Sequence, residues 1–157
     1  MSAHPDRRSL LAGAGVLPLA AGGGPSATIR DSARQAFDRY RRLINQHEFD
    51  RLAADVIAPD ALFVFSDRVD HGIDAVRAGF LRSWSILPDE VYSMTEPAWL
   101  LDTPEAAACA FRYAWRGTMT DGRRLAGGGR GVNLFRPSAR GWRLTYEQLT
   151  PDTAPAD

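Results

Sequence analysis

The sequence predicts an α+β domain, helices first and antiparallel sheet after them. Up to Pro88 apolar residues recur at helical spacing, beyond it they alternate, and a chain of 157 residues supplies one hydrophobic core rather than two.

In the first helix, expected over Ile29 to His47, the residues Ile29, Ala33, Ala36, Phe37, Tyr40, Leu43 and Ile44 share a face. Arg30, Arg34, Arg41 and Arg42 fall elsewhere, and Thr28 with Asp31 three residues on forms a capping pair. A second helix runs from Glu48 to Ile57 and stops before Pro59, because the residue preceding proline avoids the helical region. Ala61 to Asp67 is aromatic and β-branched, hence a strand. Ile73, Val76, Phe80 and Trp84 repeat the helical spacing, so a third helix spans Ile73 to Leu87 and Pro88 closes it.

Four strands follow, Val91 to Leu101, Glu105 to Met119, Arg124 to Arg136 and Trp142 to Leu149, with turns at Asp102-Thr103-Pro104, Asp121-Gly122 and Pro137 to Gly141. Strands this long cover a helix only by bending, and Gly127, Gly128, Gly129 and Gly131 supply the bend. The same glycines do not make a phosphate cradle, since Val132 to Phe135 continues as strand and the chain has no lysine.

All 19 basic residues are arginine, which excludes Schiff-base and phosphate-loop lysine chemistry. They are matched by 19 acidic residues without a basic stripe, so no nucleic acid is expected as partner. Cys109 is alone, and His4, His47 and His71 show no metal-ligand spacing, so neither an intrachain disulfide, a metal nor a cofactor is expected. A Gly-x-Ser-x-Gly nucleophile elbow is absent.

Asp6-Arg7-Arg8-Ser9-Leu10-Leu11, the glycine-broken apolar run to Ala21 and the Gly22-Gly23-Gly24-Pro25 stretch resemble a twin-arginine export signal. The run is too short for a stable membrane anchor. The expected organisation is therefore a signal peptide and linker over 1–27, a domain over 28–150 and a disordered tail over 151–157, in an exported, periplasmic or secreted protein. A cytoplasmic tail is the competing reading of the first segment.

The element order, together with Phe111-Arg112-Tyr113-Ala114-Trp115-Arg116-Gly117, Arg130-Gly131-Val132-Asn133-Leu134-Phe135-Arg136 and Gly141-Trp142-Arg143-Leu144, resembles a SnoaL-like domain of the NTF2-like superfamily over Ile29 to Thr150. The resemblance implies a cone in which N-terminal helices pack inside a strongly curved antiparallel sheet. It leaves function open, because this fold hosts isomerases, cyclases, dehydratases and plain binding modules. Where many relatives carry His-x-His near the end of the last strand, this chain reads Tyr146-Glu147-Gln148. Laid along a ketosteroid-isomerase-like pattern, Arg39-Tyr40 takes the place of the helix tyrosine, the base position falls on Phe65, and the second acid falls on Gly131 or Val132. Related domains often pair through their sheets, which implies a homodimer.

A two-residue Asp121-Gly122 turn would pair Trp115 with Gly128, Tyr113 with Arg130, Phe111 with Val132 and Cys109 with Leu134. A five-residue loop would then pair Phe135 with Gly141. In this register Tyr113, Trp115, Arg130, Tyr146 and Gln148 face the interior, and Glu147 faces away. Asp67, two residues beyond Phe65 on one strand face, is either a base at the cavity mouth or a solvated strand end. Tyr40 is either an electrophile or a core tyrosine with its hydroxyl satisfied. His71 could relay protons with Asp67 or stand exposed in a loop. Arg130, unable to lose its charge, must meet an internal acid or an anionic ligand. Cys109 reads as inert core.

Two functions fit these residues. One is an exported, non-catalytic pocket for a small hydrophobic or anionic organic ligand, using Tyr113, Arg130, Tyr146, Gln148, Trp115 and His71. The other is a cofactor-independent isomerase, cyclase or dehydratase that moves protons, with Asp67 as base and Tyr40 or Arg130 stabilising the oxyanion.

Overall fold

A computed structural model of the chain describes residues 31–152. Three helices lie against one six-stranded sheet, an α+β arrangement as the sequence predicts. The first helix, α1, is Ala33–Leu43 and runs into a short 3₁₀ turn, Ile44–Gln46. Then come α2 (Phe49–Asp55), β1 (Ile57–Val64), β2 (Val69–His71) and α3 (Ile73–Ile86). The strands β3 (Val91–Asp102), β4 (Ala107–Thr118), β5 (Arg124–Ser138) and β6 (Gly141–Pro151) complete the chain. The sheet order is β2-β1-β6-β5-β4-β3. It is mixed, not purely antiparallel, because β1 lies parallel to β6.

The capping pair expected at Thr28 and Asp31 is replaced. Thr28 lies outside the described residues, and α1 is capped by Ser32, whose hydroxyl accepts from the Gln35 N–H while the Gln35 side chain accepts from the Ser32 N–H. Asp31 instead pairs with Arg39 at 2.5 Å. The helix buries Ala33, Ala36, Phe37, Tyr40 and Leu43, and Phe37 packs edge-on against Phe111 of β4, ring centres 5.6 Å apart.

The second helix ends earlier than the proline rule suggests, and β1 begins at Ile57 rather than Ala61. Pro59 sits inside that strand, where the register against β6 is irregular between Ile57 and Leu62, so its missing N–H interrupts no regular ladder. The strand also stops before Asp67: the chain turns at 65–68, closed by the Phe65 N–H on the Arg68 carbonyl at 2.9 Å. His71 lies on the three-residue strand β2, too short to reveal itself by alternation, and is exposed. At the far end, β6 continues through Pro151, and Asp152 is held by its N–H on the Gly128 carbonyl and its carboxylate on Arg112. The ordered domain therefore passes the boundary expected at residue 150.

Two turn details decide the faces of the sheet. The β4–β5 hairpin has three loop residues, Thr120, Asp121 and Gly122, closed by the Gly122 N–H on the Met119 carbonyl and the Met119 N–H on the Arg123 carbonyl. Gly122 has φ +87°, the left-handed position such a loop needs. One residue more than expected slides the ladder by one, so Trp115 pairs with Gly127, Tyr113 with Gly129, Phe111 with Gly131 and Cys109 with Asn133. A one-residue slip reverses a whole strand face. Arg130 therefore stands exposed on the outer face. The β5–β6 turn has two residues, not five, since Ser138 pairs with Gly141. A bulge follows: Phe135 pairs with Leu144 but Leu134 with Tyr146, leaving Thr145 as the extra residue. Trp142 and Leu144 point inward as expected, but past the bulge Glu147 takes the inner face and Tyr146 and Gln148 the outer one.

The inner face of β5 is glycine at 127, 129 and 131. A Cβ at Gly127 would come within 2.6 Å of the Trp115 ring, and one at Gly131 would enter the Phe111 ring. These glycines thus let β4 aromatics lie flat across β5 where the sheet curls around the helices.

Candidate functional site

Between α1, α3, the 65–68 turn and the inner faces of β3, β4 and β6 lies a cavity of about 370 Å³. Its walls are apolar: Phe63 from β1, Val76 and Phe80 from α3, Leu87 beyond it, Trp115 from β4 and Leu149 from β6. Aromatic packing fixes the α3 side, with Phe80 against Phe49, Phe63 and Trp84, and Trp84 stacked on His47 at 4.8 Å.

The polar groups lie where α1 meets β6. Glu147 is 2% exposed and Tyr40 1%. The Tyr40 hydroxyl donates to Glu147 Oε1 at 3.1 Å. With the Asn133 amide turned so that its nitrogen faces them, it donates to Glu147 Oε2 at 3.0 Å and to the Val132 carbonyl at 3.2 Å. Burial pushes the Glu147 carboxyl up to about 8 against the opposing pull of those two hydrogen bonds. At neutral pH the group is therefore mainly protonated. A hydroxyl accepts as readily as it donates, so the Tyr40 contact serves either form. Burial, and then the charge of Glu147, hold Tyr40 well above the usual phenol range.

Tyr92 and Tyr113 line the same cavity, their rings parallel within 5° and centred 5.9 Å apart. Burial raises both phenols, Tyr92 strongly. Glu90, also in the lining, is raised by burial. At the mouth, Arg68 Nε donates to Asp70 Oδ2 at 3.2 Å, and the guanidinium lies 4.0 Å from the centre of the Phe65 ring. Asp67 faces Arg68 at 3.7 Å with its side chain 74% exposed. The Asp70 carboxylate reaches this position because residue 79 is glycine, where a Cβ would sit 2.7 Å from Asp70 Oδ2.

Of the residues singled out in the sequence, Tyr40, Tyr113, Trp115 and Asp67 line this cavity. Arg130 and Gln148 line a separate groove of about 590 Å³ with Glu96, Arg112 and Thr150. The Tyr146 hydroxyl is bonded to Gln148 Oε1 at 2.8 Å, and His71 is exposed on β2. Cys109 is fully buried, its thiol pushed up to about 11 by desolvation, as suits an inert core residue. Sequence reasoning missed Glu147, Asn133 and Tyr92. Glu147 was assigned to the wrong face because nothing in the alternation announces the bulge at Thr145.

Among the described residues, no group of three His, Cys, Asp or Glu side chains could hold a metal ion, and no helix is long and apolar enough to cross a membrane. The site is thus an apolar chamber ending on a carboxylic acid whose two oxygens are held by a phenol and an amide.

The architecture is the NTF2-like fold. A solved NTF2-like superfamily protein from Salmonella enterica serovar Typhimurium superposes with a TM-score of 0.68 at 16% identity, covering 77% of this chain and 89% of that one. An NTF2-like protein of unknown function from Exiguobacterium sp. 255-15 gives 0.61 at 22% identity, covering 76% and 99%. A protein of unknown function from Mycobacterium tuberculosis gives 0.66 at 19% identity, covering 78% and 70%. No protein-family model and no curated protein sequence matches the chain. At these identities the likeness concerns the fold, and activity has to be argued from the site.

Proposed function

We propose that this chain binds a small, largely apolar organic molecule in the chamber above Glu147. One observation carries the reading: side chains from α1, α3 and the sheet converge there yet leave about 370 Å³ unfilled, within the range of small-molecule sites. The position of Arg130 outside the chamber removes the reason for favouring an anionic ligand. Titration with the uncharged fluorophore N-phenyl-1-naphthylamine tests the proposal. Saturable one-to-one binding is expected in the native protein, with at least a ten-fold loss when Leu149→Trp fills the chamber. Absence of saturation, or indifference to Leu149→Trp, would refute it.

A second reading, proton transfer of the isomerase, cyclase or dehydratase kind, is favoured by one specific feature: a desolvated carboxyl titrating near 8. In that reading Glu147, not the exposed Asp67, carries the proton, and Glu147→Gln would abolish turnover while probe binding survives. We also propose that the chain is a SnoaL-like representative, exported through Arg7 and Arg8. Equal partition of the native protein and an Arg7→Lys, Arg8→Lys variant between cell compartments would exclude export by that route. Finally, we propose pairing with a second copy through the outer sheet face, where Leu134, paired with Ala108, is 39% exposed on the same face as the Arg112–Arg130 pair. Sedimentation as a monomer at tens of micromolar would contradict it.

A further inference from the structure

We propose that the Tyr92 hydroxyl is the polar anchor of the chamber, a donor reserved for an uncharged acceptor oxygen, such as a ketone, aldehyde or ester carbonyl, on an otherwise apolar ligand. The inference rests on the pocket reading and names the functional group that the pocket selects.

Among the described residues, Tyr92 Oη is the one buried side-chain oxygen or nitrogen without a hydrogen-bond partner. Burying an unpaired hydroxyl opposes folding, so such groups are rare unless something arrives to satisfy them. Tyr92 is also held in place. Its N–H donates to Asn45 Oδ1 at 2.7 Å, its carbonyl accepts from Asn45 Nδ2 at 2.9 Å, and its ring lies parallel to that of Tyr113. With its backbone tied to Asn45 and its ring against Tyr113, the hydroxyl offers a ligand a donor already in place.

The lining sets the charge of the ligand. Asp67, Asp70, Glu90 and Glu147 face the chamber against one cation, Arg68, which is already bonded to Asp70 and lies on Phe65. A carboxylate would find acids and no free guanidinium. An ammonium would have to leave water for a cavity whose buried acids, Glu90 and Glu147, are held toward the neutral form by that burial. A neutral carbonyl oxygen asks for neither.

The experiment uses native protein and Tyr92→Phe, which keeps the stacked ring, with four matched probes: 2-acetylnaphthalene, 2-ethylnaphthalene, 2-naphthoate and 2-naphthylmethylammonium. The expected result has three parts. Native protein prefers the ketone to the hydrocarbon by about ten-fold. Tyr92→Phe erases that preference without changing hydrocarbon affinity. The empty variant melts higher than native protein, because the orphan hydroxyl is gone. Equal binding of ketone and hydrocarbon by native protein, or a preference that survives in Tyr92→Phe, would overturn the anchor while leaving the pocket standing. Tightest binding of the naphthoate or the ammonium would overturn the uncharged class. A variant that melts lower or fails to fold would show that the hydroxyl already serves the empty protein. Failure of every probe to bind would defeat the pocket reading and the anchor with it.

Discussion

Replacing Glu147 by glutamine should make the protein more stable at alkaline pH than its native form. The carboxyl titrates at about 8 in the folded chain and at about 4.3 when exposed in the unfolded one. Between those values folding takes up a proton, so its contribution is complete below about pH 4.3 and is lost as pH rises through about 8. Each pH unit in that window removes about 1.4 kcal/mol, and the whole span is worth up to roughly 5 kcal/mol, a large share of ordinary domain stability. Glutamine keeps the shape and never ionises. Its oxygen can accept from Asn133, which keeps its bond to the Val132 carbonyl, and its amide nitrogen can donate to the Tyr40 hydroxyl. Glu90, raised by burial as well, adds a slope of the same sign to both proteins, so the difference between them isolates Glu147. Urea denaturation at about pH 5.5, 7 and 8.5 should show Glu147→Gln gaining on the native protein by about 1.4 kcal/mol per unit up to about 8 and levelling off beyond. A difference that does not change with pH would refute the reasoning, as would a native protein that becomes more stable over this window relative to the variant.

Gly131→Ala drives a methyl group into the Phe111 ring and to 2.9 Å from Leu149 Cδ2, so a loss of about 1–3 kcal/mol is expected by calorimetry. Ser32→Ala removes one half of the α1 capping box and should cost about 1 kcal/mol in denaturant, with Ser32→Asn recovering most of it.

The amphipathic stripe of α1 and the helical spacing of α3 were legible because burial on one face imposes its period directly on the residues. The long strands were legible too, but their faces were not. A strand assigned correctly in extent still has two registers. Counting from Asp121-Gly122 chose the wrong one, because a three-residue loop with a left-handed last residue and a two-residue turn share that dipeptide. Apolar matching reinforced the error, since Val132 and Leu134 are more hydrophobic than Gly131 and Asn133. The interior acid stayed hidden for a related reason. Glu147 sits three residues after Leu144, not two or four, and only the extra Thr145 brings both to one face. Tyr40, in contrast, was placed correctly on the buried stripe, because helical geometry offers no comparable one-residue ambiguity. Its partner lies 107 positions away and leaves no local trace.

The outward placement of Arg130 explains why this hairpin does not settle into the register its apolar residues favour. With glycine at alternate inner positions, β5 has little hydrophobic pull toward the helices, and Val132 and Leu134 would gain by turning in. Arg130 and Arg136 share their face, however, and a slip would carry both guanidiniums inward while driving the fully buried Phe135 out. A guanidinium cannot shed its proton to follow, so the slipped pairing must desolvate two permanent charges. The two arginines work like pawls on a ratchet, harmless in solvent and obstructive in the one direction that would turn the strand over. Because they hold the register from outside, the inner residues are released from that task, and β5 can present glycine to the core and leave room for the Phe111 ring and for the Trp115 ring that walls the chamber.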